Sequence, residues 1–157
     1  MTRKTRLLAL LLLLALCLGS CANRSDMPLG GTITFHGVRI DLPDGYIRDS
    51  TQSTEDFWLY EKGFFRQYVM LARTPLSGSA EATLDSYSAY LLSQGASSER
   101  TTFLGCEAVR SFRQEESGLW QEVLIAYEGA TIAIALRGGT EADFAQILDG
   151  VSLVGAQ

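Results

Sequence analysis

Hydrophobic positions change period several times along this chain, and each change marks a part. Residues 7–18 are twelve consecutive Leu, Ala or Cys, preceded by Arg3, Lys4 and Arg6 and no acid. A spanning helix needs roughly 20 apolar residues, so this run reads as the h-region of an export signal behind a charged n-region. Residues 22–31 have no apolar period and hold Pro28 and the pair Gly30-Gly31, the composition of a flexible spacer. Alternation then begins. Ile33 and Phe35 alternate with polar neighbours, His36-Gly37 interrupts, and Val38, Ile40 and Leu42 resume the alternation, which predicts a hairpin. Pro43-Asp44-Gly45 ends its second strand with turn residues.

Strands are further predicted over 57–60, 66–73, 101–104, 108–113, 119–127, 131–137 and 151–154, with Glu128-Gly129 as a tight turn. Two stretches switch to helical spacing. Ala80, Leu84, Tyr87 and Leu91 recur every three or four residues behind the capping candidate Ser79, and Gly95 suits a left-handed end. Ala142, Phe144, Ala145 and Leu148 do the same behind Thr140. The runs 123–127 and 132–136 are apolar on both parities, so their strands need cover on both faces. Short turns between successive strands imply antiparallel pairing. The expectation is an α+β fold, a three-layer α/β/α sandwich with an antiparallel sheet flanked by helices.

The apolar leader ends in Leu18-Gly19-Ser20-Cys21. This set resembles the lipobox of bacterial lipoproteins, in which the cysteine thiol receives a diacylglyceryl group and the chain is cut just before it. Carried over, the cut falls between Ser20 and Cys21, and Cys21 bears the lipid. An ordinary secretory signal with a chance cysteine is the plainer alternative. The division is then 1–20 signal peptide, 21–31 lipidated cysteine and tether, and 32–155 a folded domain. Two or three acyl chains anchor durably, since each buried CH₂ contributes about 0.8 kcal/mol. The expected location is a bacterial membrane, with the domain facing away from the cytoplasm.

Processing changes the composition. The 157 residues carry a net charge of −5, and loss of the three leader cations takes it to −8. So acidic a domain is a poor partner for nucleic acid, whose phosphates need clustered Lys and Arg. Of three cysteines, Cys17 leaves with the leader and Cys21 is modified. Cys106 alone cannot form an internal disulfide, so the domain must rest on its core.

The run from Phe35 through Tyr46 resembles the opening of PsbP-like domains. Gly105-Cys106-Glu107-Ala108, the Tyr127-Glu128-Gly129 turn and the closing stretch 144–153 are similar to that family too. The resemblance spans 32–154. It implies an antiparallel sheet with helices on both faces, and a binding or assembly protein with no catalytic motif; from the residues themselves no cofactor and no metal are expected. Relatives of that family include extrinsic proteins of photosynthetic membranes, a Ran-binding import factor and bacterial lipoproteins.

Candidate chemistry is sparse. His36 is the only histidine and Cys106 the only free thiol, so a Cys–His pair would have to be these two, and the plainer reading is an exposed turn histidine and a small half-buried cysteine. Zinc needs several Cys or His ligands at local spacing, which this chain does not hold. Asp41, Asp44 and Asp49 cluster about Gly45, but without the alternation and closing Glu of a calcium loop. Glu55-Asp56 and Glu115-Glu116 read as solvated turns. Phe57, Trp58, Tyr60, Phe64, Phe65 and Tyr68 concentrate aromatics on both parities. They are either core or the anchor of an interface, and Trp58 and Phe64 are the candidate contacts for a protein partner. The expected function is a non-catalytic binding or assembly module for a membrane-proximal protein. A carrier or sensor of a small apolar ligand is the alternative, and a hydrolase with an unrecognised site comes last.

Overall fold

The computed structural model describes residues 31–63, 67–116 and 118–155. Cleavage and lipidation at Ser20 and Cys21, and the candidate contact Phe64, lie outside the described residues. Ten strands and two helices occur among those described, in the order β1 (Gly31–Phe35), β2 (Val38–Leu42), β3 (Tyr46–Arg48), β4 (Phe57–Lys62), β5 (Gln67–Pro75), α1 (Ala80–Ser93), β6 (Ser97–Phe103), β7 (Cys106–Glu115), β8 (Gly118–Tyr127), β9 (Ala130–Arg137), α2 (Glu141–Asp149) and β10 (Val151–Leu153). They form a seven-stranded sheet, β3-β4-β5-β9-β8-β7-β6, and a three-stranded sheet, β1-β2-β10. Every strand pairing in both is antiparallel.

Side-chain parity explains the layers. On β8, Val123 and Ile125 join one buried cluster while Leu124 joins another on the opposite face. The first face packs Ile132, Ile134 and Leu136 of β9 against Phe35, Val38 and Ile40 of the small sheet and Phe144 and Ile147 of α2. The second face packs Val109 and Leu124 against Leu84 and Leu91 of α1. The strands that are apolar on both parities are therefore central ones covered on both sides. The expected three layers are present. One outer layer is α1, and the other is composite, the small sheet beside α2.

Local chemistry sets the joints. The hairpin turns place His36 and Gly37 at φ 45° and 81°, and Glu128 and Gly129 at 47° and 75°, as a two-residue type I′ turn requires. Ser79 caps α1 by accepting from the Ala82 N–H at 3.2 Å. Thr140 and Asp143 form a reciprocal capping box on α2. At the end of α2, a Cβ on Gly150 would lie 2.7 Å from the Asp41 carbonyl oxygen. Only glycine lets β10 turn in beside β2, where the Asp41 N–H bonds the Gly150 carbonyl at 2.9 Å.

Three differences from the sequence expectation have plain causes. β3 was not expected, because Tyr46–Arg48 is too short to show alternation. β6 begins at Ser97, ahead of Thr101, because its first residues are polar and gain their strand geometry from pairing with β7. The small sheet separates from the large one because β2 pairs only with β1 and β10.

Candidate functional site

The aromatic run of β4 divides by parity. Trp58 and Tyr60 point to the face bearing the small sheet and pack on its core, while Phe57 and Leu59 point away. Trp58 is half-buried. Its ring meets Phe35 edge-on at 5.0 Å and Tyr60 at 6.5 Å. β3 lies alongside, and its register sets Arg48 opposite Tyr60. The Arg48 guanidinium sits 4.1 Å from the centre of the Trp58 ring. The short strand missing from the sequence reading thus delivers the cation of the pair. Its three residues carried no local signal, and its geometry comes from pairing with β4.

The neighbouring basic side chains are paired. Asp56 holds Arg73 and His36, each at 3.2 Å, and His36 also faces the Glu55 carbonyl at 3.0 Å. Arg48 differs. Its Nε is the one buried side-chain nitrogen or oxygen among the described residues with no hydrogen-bond partner. Burial pushes the Tyr60 phenol up, and the nearby Arg48 pulls it partway back. The corner therefore holds a stacked indole and guanidinium with a phenol beside them.

The other candidates are accounted for locally. Cys106 is half-buried against the core, and burial pushes its thiol up, away from the thiolate a nucleophile needs. Asp41 accepts from the Thr32 hydroxyl at 2.5 Å. Asp49 accepts from the Thr51 hydroxyl and N–H and from Gln52, and these bonds hold its carboxyl below the usual range. Among the described residues no three His, Cys, Asp or Glu gather as a metal group. Glu115 is held between Arg113 and Arg137.

Sequence reading did not single out Glu122. It is a buried acid on the α1 face, and the Tyr87 hydroxyl lies 2.8 and 3.0 Å from its two oxygens. Burial pushes its carboxyl up, against hydrogen bonds from Tyr87 and Trp120 and the charge of Arg113. The pair ties α1 to β8. An open cleft of about 360 Å³ lies at the far end of the large sheet, lined by charged Glu99, Arg110 and Glu141 together with Phe112 and Gln121.

Comparison with known proteins gives the fold a context. No family model matches the chain, and no curated protein does. Among solved structures, the chain is similar to the cyanobacterial PsbP protein, CyanoP, of Synechocystis sp. PCC 6803, with a TM-score of 0.53 at 11% identity over 82% of this chain and 95% of that one. It is also similar to a protein of Bacteroides thetaiotaomicron VPI-5482, with a TM-score of 0.55 at 9% identity over 82% of this chain and 50% of that one. The chain thus spans half the length of the Bacteroides protein. At such identity the likeness shows a PsbP-like fold and no more.

Proposed function

We propose that this chain is an extracytoplasmic lipoprotein, held to a bacterial membrane through Cys21, whose PsbP-like domain is a non-catalytic binding or assembly module for a membrane-proximal protein. The observation that carries the binding reading is Arg48 stacked on half-buried Trp58. Tryptophan and arginine are the residues most enriched among the energetic anchors of protein interfaces. The anchoring reading is supported by the leader and the sequence Leu18-Gly19-Ser20-Cys21. A tether over residues 22–30 gives the domain reach from the membrane surface.

Each half of the proposal has its own test. Cys21→Ala is expected to abolish lipid labelling and release the protein from membranes. Continued membrane partitioning of the variant sinks the anchoring reading. Crosslinking in the native cell, followed by mass spectrometry, is expected to recover a defined protein. Recovery of a bound lipid or metabolite with no protein overturns the binding-module reading in favour of a carrier.

A further inference from the structure

The described arginines separate into two groups. Arg39, Arg73, Arg100, Arg113 and Arg137 each pair with a carboxylate. Arg48 and Arg110 do not. Arg110 is exposed and hydrated by solvent. Arg48 is half-buried, with its Nε cut off from both water and acceptors. In a chain with 18 acids, an arginine so placed and left without a carboxylate is costly, because an unsatisfied buried donor loses its hydration for nothing. The position is nevertheless built: the guanidinium lies on the Trp58 ring at 4.1 Å, and Trp58 is itself fixed by Phe35 and Tyr60.

We infer that the corner formed by Arg48, Trp58 and Tyr60 is a receptor for a single carboxylate on an acidic segment of a protein partner. A guanidinium stacked on an indole is held in one plane, and the fork of its two terminal nitrogens, rather than the sealed Nε, matches the two oxygens of a carboxylate. Tyr60 lies opposite Arg48 in the register and packs in the core beneath the corner, backing Trp58. Asp56 does not compete, because Arg73 and His36 already engage it. The corner offers one free fork, which suits one acidic side chain. The inference rests on the binding-module reading and names the chemistry the partner presents.

The test uses the full chain in a neutral detergent, titrated with a capped Gly-Glu-Glu-Glu-Gly peptide and its Gln counterpart. The readout is the pair of tryptophan indole N–H resonances. The Glu peptide is expected to shift Trp58 and leave Trp120 in place, and the Gln peptide to shift neither. Arg48→Met should weaken binding at least tenfold. Arg48→Lys should fail to restore it, with an unmoved Trp120 resonance certifying the fold in each variant. Equal binding of the Gln peptide, full binding by Arg48→Met or Arg48→Lys, or an unmoved Trp58 overturns the inference. So does a Trp58 shift produced by phosphatidylglycerol vesicles and not by the peptide. Failure here leaves recovery of a partner by crosslinking intact, so the two readings fail separately.

Discussion

Glu122→Gln tests how the domain carries a buried acid. Glu122 is 5% exposed on the face beneath α1, where Tyr87 donates to it. Burial raises its carboxyl above the ordinary glutamate range, and the hydrogen bonds and Arg113 oppose that only in part. The native state therefore holds this proton more tightly than the unfolded chain. Stability from this group is fully present below the unfolded glutamate pKa and is lost as pH rises through the raised folded value. One proton limits the slope to about 1.4 kcal/mol per pH unit within that window. Glutamine keeps an acceptor for Tyr87 and cannot ionise. The assay is urea unfolding of wild type and variant at half-unit steps from pH 4 to pH 8. Other titrating groups cancel in the difference between the two curves. Glu122→Gln is expected to gain on wild type progressively as pH rises, with a plateau above the window. Parallel curves over the whole range refute the argument that this acid is held against its ionisation. Tyr87→Phe, which strips a donor from the buried carboxyl, is expected to cost about 1–3 kcal/mol.

Packing and backbone give further tests. Leu84→Ala removes a fully buried anchor of α1 and is expected to cost about 3–5 kcal/mol in urea unfolding, whereas Leu92→Ala, at a position 57% exposed, should stay within about 0.5 kcal/mol. Gly150→Ala places a methyl 2.7 Å from the Asp41 carbonyl and is expected to cost about 1–3 kcal/mol in thermal or chemical unfolding, through displacement of β10 from β2.

The legible parts of this fold were those with a local cause. Alternation marked β1 and β2, helical spacing and caps marked both helices, and apolar runs on both parities marked β8 and β9 as covered twice. What sequence left open was relational. Nothing local in Tyr46–Arg48 announces a strand, because its geometry comes from pairing with β4. Glu122 sits in a run whose polar start resembles any strand entrance, and only the arrival of Tyr87 from α1, 35 residues away, makes it a buried pair. Trp58 was legible as an aromatic of β4. Its packing on Phe35 and beneath Arg48 depends on the small sheet and β3 meeting at one corner.

Site-specific photo-crosslinking in the native cell tests the binding module most directly. A photoreactive residue replaces Glu55, exposed at the entry to β4 where its carbonyl faces His36 and, through Phe35, Trp58, or Leu92, exposed on α1 across the large sheet. A discrete protein adduct is expected from position 55, absent from position 92 and lost when Arg48→Met is added. Equal adducts from both positions, or an adduct at 55 indifferent to Arg48, would contradict the assignment of partner binding to this corner.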